Sequence, residues 1–158
     1  MRFIYAIFIL LLALITSAQC QQTAKDWFNK GKALDDQGNY ADAIKAYDEA
    51  IRIDPKDSTA WTAKGVVLSG LGKYDEAIKC YNESIQLNPK DAYAWYNKGY
   101  TLRLLHKWIE AIECYNETIR LNPKNAYAWY NKGYALMLLG RTKEANAAFA
   151  EAKSWQYR

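Results

Sequence analysis

Apolar residues recur along this chain with the period of an α-helix. In residues 40–53, apolar side chains fall at Ala43, Ile44, Tyr47, Ala50 and Ile51, which share one face of a helix. Similar stretches follow one another from residue 24 to the end of the chain, with short polar turns between them. The pattern predicts an all-α protein.

The helical pattern repeats every 34 residues. Four kinds of residue return at this spacing in every one of four units: Trp27, Trp61, Trp95 and Trp129; Gly31, Gly65, Gly99 and Gly133; Leu34, Leu68, Leu102 and Leu136; Ala43, Ala77, Ala111 and Ala145. A further column is aromatic: Tyr47, Tyr81, Tyr115 and Phe149. A helical hairpin of this length cannot bury its own apolar face, so we expect neighbouring units to stack.

These columns resemble the tetratricopeptide repeat, which has Trp at position 4, Gly at 8, Ala at 20, an aromatic residue at 24 and proline at 32 of each unit. The resemblance implies a right-handed α-solenoid of four helix-turn-helix units, with eight helices. The units are predicted at 24–57, 58–91, 92–125 and 126–158, preceded by a short tail over 19–23.

The breaks between helices follow from single residues. Pro55, Pro89 and Pro123 close the first three units, because proline cannot continue a helix. Gly38, Gly72 and Gly140 lie between the two helices of a unit, where a left-handed residue is needed. In the third unit His106 takes that place, and we interpret it as a turn residue because histidine tolerates positive φ better than most residues.

The last helix differs from the earlier ones on its outer side. Thr142, Asn146 and Lys153 replace aromatic or isoleucine residues at positions 17, 21 and 28. Terminal repeats need a polar outer face for solubility, so this helix is predicted to act as its own cap. Trp155 and Tyr157 are expected either to fold back over the remaining apolar surface or to face a partner.

In the tetratricopeptide family, positions 2, 5, 6, 9, 12 and 13 of the first helix of each unit face the concave side. The resemblance therefore implies a peptide-binding site, here called the candidate groove, in units 3 and 4. Its residues are Tyr93, Tyr96, Asn97, Tyr100, Arg103, Tyr127, Tyr130, Asn131, Tyr134 and Met137. Tyrosine combines a rigid ring with a hydroxyl, as binding hot spots do, and asparagine can bond a peptide backbone. The same tyrosines and asparagines are equally consistent with packing between helices.

Charge is graded along the repeats, with net values of −2, 0, +2 and +3 from the first unit to the fourth. Such a gradient favours an acidic partner at the C-terminal half, or head-to-tail contacts between copies, although drift on solvated faces gives the same pattern. The overall charge of +4 is too small and too dispersed for a nucleic-acid-binding protein.

The first eighteen residues have the layout of a secretory signal peptide. Arg2 precedes an uninterrupted apolar stretch over residues 3–15, and Ala18 ends a run of small residues suited to cleavage. We therefore expect an exported protein. An uncleaved membrane anchor is the alternative, and lipidation at Cys20 is disfavoured because Gln19 is not small.

No catalytic motif, metal site or cofactor site is predicted. The chain has a single histidine, and neither a Gly-rich phosphate loop nor a nucleophile motif. Cys80 and Cys114 occupy the same place in stacked units, about 10 Å apart, so we expect two free, half-buried thiols. Asn82 and Asn116 begin glycosylation sequons on helices.

These features favour a non-catalytic, exported adaptor that binds a peptide or protein segment in the candidate groove. The alternative is a structural module of an envelope complex that assembles through the ends of the array.

Overall fold

The computed structural model describes residues 22–156, so the predicted signal segment 1–18, Cys20 and Tyr157 lie outside it. The described residues form eight helices. They are α1 (Ala24–Asp36), α2 (Tyr40–Ile53), α3 (Ser58–Gly70), α4 (Tyr74–Leu87), α5 (Ala92–Leu104), α6 (Trp108–Leu121), α7 (Ala126–Leu138) and α8 (Thr142–Gln156). Odd-numbered helices are the first (A) and even-numbered helices the second (B) helix of a repeat.

Each A helix begins at a residue whose side chain binds free backbone N–H groups. Thr23 forms a capping box with Asp26, in which each side chain accepts a hydrogen bond from the backbone N–H of the other residue. Asp57, Asp91 and Asn125 accept from backbone N–H groups in the first turns of α3, α5 and α7. These caps explain why the four A helices start in the same register.

Left-handed residues make the turn between the A and B helices. Gly38, Gly72 and Gly140 have φ of 75°, 76° and 74°, and His106 has φ of 57° in the equivalent turn. The interpretation of His106 as a turn residue is confirmed. Its ring lies 5.1 Å from the ring of Trp108, edge to face.

Within each repeat, the A and B helices cross at a glycine. An added Cβ at Gly31, Gly65, Gly99 or Gly133 would lie within 3 Å of the ring of the aromatic residue at position 24 of the same repeat. The alanines at position 20 are at most 1% exposed. The repeated columns are therefore the places where two helices approach most closely.

Successive repeats are joined by the B helix of one and the A helix of the next. Ala50 and Ile51 of α2 form a buried cluster with Ala60 of α3, covered by Trp27 and Trp61. The indole N–H of Trp61 also donates to the carbonyl oxygen of Pro55, 3.1 Å away. The same bond recurs from Trp95 to Pro89 and from Trp129 to Pro123. Each of these three tryptophans thus binds the turn that ends the preceding repeat.

Both ends of the described array are polar. Thr142, Asn146 and Lys153 of α8 are exposed, whereas the isoleucines at the latter two positions in earlier repeats are buried or half-buried. At the other end, exposed Asp26 stands where the other three repeats carry the fully buried Ala60, Ala94 and Ala128. The final helix caps the array as predicted.

The two cysteines are free, but they are buried rather than half-buried as the sequence had suggested. Cys80 packs with Leu68 and Tyr81, and Cys114 with Leu102 and Tyr115. The prediction underestimated burial because position 23 of the B helix faces the A helix of its own repeat.

The two sequons lie on B helices, with Asn82 and Asn116 exposed. Ser84 and Thr118, their third residues, are completely buried. Ser84 is hydrogen-bonded to Thr62 and Thr118 to the carbonyl of Cys114.

Among residues 22–156, no helix combines the length and the apolar character that a membrane crossing requires.

Candidate functional site on the inner face of the solenoid

The A helices lie on the inner side of the curve. Each A helix touches the A helix of the next repeat, whereas successive B helices are not in contact in the described array. Helices on the inside of a bend are closer together than those on the outside, so α5 and α7, which carry the candidate groove residues, lie on the concave side.

Half of the candidate groove residues are solvent-exposed. Tyr93, Tyr100, Tyr127, Tyr130 and Met137 expose between 37% and 74% of their surface. The other five are half-buried: Tyr96, Asn97, Arg103, Asn131 and Tyr134. The exposed side chains form an aromatic surface along two adjacent helices.

Tyr96 contributes to packing as well as to this surface. Its ring packs against the cluster around Leu102 and Tyr115, and the centroids of the Tyr96 and Tyr115 rings are 6.2 Å apart. Its hydroxyl accepts a hydrogen bond of 3.2 Å from the side-chain amide of Asn131 in the next repeat. Burial raises the pKa of Tyr96, while the bond to Asn131 opposes this shift. Tyr96 therefore joins repeats 3 and 4.

The asparagines already use amide donors within the protein. Asn97 Nδ2 donates to the carbonyl of Tyr93, and Asn131 Nδ2 donates to the carbonyl of Tyr127, each one turn earlier in its own helix. Both donors of Asn131 are thus engaged, because it also binds Tyr96. For a bound peptide, Asn131 offers its oxygen as an acceptor rather than both donor and acceptor.

Arg103 lies close to two aromatic rings at the junction of repeats 3 and 4. Its guanidinium carbon is 4.7 Å from the ring centroid of Tyr100 and 5.7 Å from that of Tyr134. Tyr134 in turn packs edge to face on Trp108, with the ring centroids 6.5 Å apart. The cation therefore contacts an aromatic ring in each of the two repeats.

A polar cleft of about 340 Å³ opens between repeats 2 and 3. Asn97 and Tyr100 form one wall, and Val66, Ser69 and Gly70 form the other. At its base the hydroxyl groups of Ser69 and Thr101 are 2.9 Å apart. The repeat pattern did not predict this second wall. One feature of the sequence does indicate this wall. Ser69 and Gly70 are small, whereas repeat 3 has the larger Arg103 and Leu104 at the same two positions.

A second cleft, of about 570 Å³, lies at the C-terminal end of the array. It is lined by Tyr127 and Tyr130 of α7 and by Ala152 and Trp155 of α8, together with Lys124, Asn125 and Ala126. Trp155 is half-buried and forms part of the wall. Trp155 therefore folds back onto the apolar surface of the protein, which is one of the two alternatives expected from the sequence. Tyr127 and Tyr130 thus face this open end, while Asn97 and Tyr100 face repeat 2.

The described residues hold no cluster of three His, Cys, Asp or Glu side chains able to bind a metal ion. Burial raises the pKa of the Cys80 and Cys114 thiols to about 11, so both are protonated at neutral pH. A protonated, buried thiol is a poor nucleophile.

Helical hairpins stacked into a curved array, with an aromatic inner face, define a class of protein-interaction scaffolds. Three family models of this repeat match the chain. One tetratricopeptide repeat model matches residues 24–57 and 92–125, and a second matches 46–79 and 114–145. A third, described as TPR repeat, matches 70–105. The matches together span 24–145, and the chain belongs to the tetratricopeptide repeat family. Its fold is typical of non-catalytic protein-interaction modules.

Several solved structures share this fold. A crystal structure of MamA superposes with a TM-score of 0.82 at 25% identity, over 85% of this chain and 78% of that one. A second MamA structure superposes with a TM-score of 0.80 at 25% identity, over 85% of this chain and 73% of that one. The structure of MamA from Desulfovibrio magneticus RS-1, residues 41 to the end, superposes with a TM-score of 0.79 at 22% identity, over 85% of this chain and 76% of that one. No curated protein sequence matches the chain. The prediction of a right-handed α-solenoid of tetratricopeptide units is confirmed.

Proposed function

We propose that this chain is an exported, non-catalytic adaptor that holds an extended peptide or protein segment in the candidate groove of repeats 3 and 4. The observation that carries the proposal is the row of exposed tyrosines on the inner face. Tyr93 and Tyr127 occupy the same position in adjacent repeats, and their side chains are 58% and 74% exposed. Exposed aromatic residues in register on a concave wall supply large contact area at low entropic cost.

The groove is tested by replacing exposed tyrosines and leaving Tyr96 in place, because Tyr96 also packs against the core. Short peptides are first selected from a random library on the wild-type protein. The double substitution Tyr93→Ala and Tyr127→Ala is expected to weaken their binding at least about tenfold, because each ring is a potential hot spot. Binding is measured by fluorescence anisotropy and the melting temperature by circular dichroism.

The control is Tyr40→Ala, which removes a tyrosine that is 44% exposed from the B helix of repeat 1. It should leave peptide binding unchanged, and all variants should melt within a few degrees of the wild type. If no peptide is enriched, or if the Tyr93/Tyr127 variant binds as well as the wild type, the groove does not have this function.

The export part of the proposal is supported by residues 1–18, with their basic start, apolar stretch and small residues before residue 19. Expressed in a host that recognises such signals, the full chain should appear outside the cytoplasm with Gln19 as its first residue, as determined by mass spectrometry. A chain lacking residues 2–18 should stay in the cytoplasm. Recovery of the intact, full-length chain from the cytoplasm would exclude export, whereas an intact chain in the membrane fraction would identify the segment as an anchor.

Assembly through the array ends has weaker support. The C-terminal cleft around Tyr130 and Trp155 offers an apolar surface for a second copy. Continued stacking, however, would bring Lys153 and Asn146 at one end against Asp26 at the other, where internal repeats bury apolar side chains. We therefore favour peptide binding over self-assembly as the role of this face.

A further inference from the structure

The polar cleft between repeats 2 and 3 has a floor of hydroxyl groups. Ser69, at position 12 of repeat 2, and Thr101, at position 10 of repeat 3, place their side-chain oxygens 2.9 Å apart. The same two positions at the neighbouring junctions carry Asp35 with Val67 and Arg103 with Ala135. Neither of those pairs joins two hydroxyl groups, so this floor is specific to the junction of repeats 2 and 3.

The hydroxyl groups of the floor direct their protons into the protein. Thr101 donates to the carbonyl oxygen of Asn97, one turn earlier in α5, at 2.9 Å. Because a hydroxyl has a single proton, Ser69 is the donor in its bond with Thr101. The oxygen of Ser69 is therefore left as a hydrogen-bond acceptor, with no free proton.

Only Ser69 makes this floor accessible to a ligand. Thr101 and Tyr81, which also line the cleft, are at most 1% exposed, whereas Ser69 is half-buried. Burial raises the pKa of Tyr81, and hydrogen bonds to Thr101 and Ser69 oppose the shift. A hydroxyl oxygen accepts two hydrogen bonds, so Ser69 keeps a free acceptor position even when Tyr81 donates to it.

The wall formed by repeat 3 supplies a donor. Asn97 is half-buried, and its Nδ2 donates one N–H to the carbonyl of Tyr93. A side-chain amide has two N–H groups, and among the described residues the second has no further partner. The cleft thus offers an acceptor at Ser69 and a donor at Asn97.

The cleft is unsuited to a charged side chain. Its described lining contains no Lys, Arg, Asp or Glu, so an ionised group would lose hydration without gaining a counter-ion. A carboxylate would also bring acceptors to the acceptor of Ser69. An ammonium or guanidinium group would approach the cation of Arg103, which lies 4.7 Å from the ring centroid of Tyr100 in the wall.

We propose that this cleft binds the carboxamide side chain of a glutamine or asparagine in the segment that occupies the candidate groove. The amide nitrogen donates to the oxygen of Ser69, and the amide oxygen accepts from Nδ2 of Asn97. The methylene groups contact Val66 and Leu104, which are the aliphatic part of the lining. This inference rests on the proposed function, since it names one side chain of the ligand at the same site.

The experiment selects a random peptide library in parallel on the wild type and three variants. The filled-cleft variant, Ser69→Met with Gly70→Leu, introduces the residues found at positions 12 and 13 of repeat 4 and leaves the charge unchanged. No atom lies within 4 Å of a Cβ built at Gly70, so there is space for the leucine. Ser69→Ala removes the acceptor and leaves the cleft open. The matched control, Asn82→Met with Gln86→Leu, adds the same two side chains at exposed sites of α4.

The wild type and the control should both enrich glutamine or asparagine at one peptide position. The filled-cleft variant should still select peptides through the exposed groove tyrosines, but without this enrichment. For one selected peptide, replacing the amide residue by the acid of the same shape should weaken binding to the wild type about tenfold and to the filled-cleft variant hardly at all. Ser69→Ala should reduce this loss, because the acceptor that repels the carboxylate is gone. Affinities are measured by fluorescence anisotropy.

Melting temperatures show which variants are folded. If the filled-cleft variant does not fold, Ser69→Ala decides alone, and an unchanged preference for the amide peptide would then contradict the inference. If the wild type selects peptides without amide enrichment, or if the filled-cleft variant distinguishes amide from acid as well as the wild type does, the cleft has no carboxamide ligand while the groove keeps its proposed function. If the wild type selects no peptide, both proposals are wrong.

Discussion

Trp95→Ala is expected to lower the free energy of unfolding by about 3 kcal/mol, the lower end of the range for truncating a core aromatic residue, because the ring is half-buried. Trp95 covers the cluster of Leu102, Ala111 and Cys114. Its indole N–H donates to the carbonyl of Pro89, 3.0 Å away, in the turn that ends repeat 2. Alanine would lose the packing within repeat 3 and the bond to repeat 2 together. Urea denaturation followed by circular dichroism measures the change.

Two further substitutions separate these contributions. Trp95→Phe keeps most of the packing but removes the N–H donor, and it should cost about 1 kcal/mol for the lost hydrogen bond and any imperfect fit. Tyr93→Ala, two residues earlier on the same helix, removes an exposed ring and should change stability by less than about 0.5 kcal/mol. Equal effects of Trp95→Ala and Tyr93→Ala would contradict the assignment of Trp95 to the core.

Gly65→Ala is expected to destabilise the protein by about 1–3 kcal/mol, although alanine is the better helix former. A Cβ at this position would lie 2.7 Å from Cε1 of Tyr81 and 3.0 Å from two further atoms of the same ring. Tyr81 is only 1% exposed, so its ring cannot move aside into solvent. Helices α3 and α4 would therefore have to separate.

Gly70→Ala provides the control within the same helix. No atom lies within 4 Å of a Cβ built at Gly70, so the substitution should be neutral or stabilise the protein by up to about 1 kcal/mol through helix propensity. Thermal melting of the two variants gives the comparison. If both substitutions raise the melting temperature, the close contact between Gly65 and Tyr81 does not limit the packing of the repeat.

The repeated columns were predictable because each residue in them has a partner at a fixed separation along the chain. Gly65 meets Tyr81 sixteen residues later, and Trp95 meets Pro89 six residues earlier, and both distances recur in other repeats. His106 could be assigned to a turn for the same reason, since three glycines define the requirement for positive φ at its position. Burial of the cysteines was underestimated, because a single position in the B helix does not reveal how closely the A helix approaches.

The groove was predictable only as a set of positions. Tyr96 and Tyr130 occupy the same place in adjacent repeats, and the sequence offers no reason to distinguish them. In the structure Tyr96 is half-buried and bonded to Asn131 of the following repeat, whereas Tyr130, in the last repeat that the structure describes, is 56% exposed. The difference arises from the neighbour in space and not from the residue or its local sequence.

The amino-acid sequence by itself determined the helices, their turns, the four stacked hairpins and the polar last helix, because these depend on contacts repeated at constant spacing. Only the tertiary structure decided which inner-face side chains are exposed, where the clefts open, and that Arg103 lies close to the rings of Tyr100 and Tyr134. Those properties depend on the residues that α5 and α7 bring together across the junction of two repeats, and no spacing along a single helix encodes them.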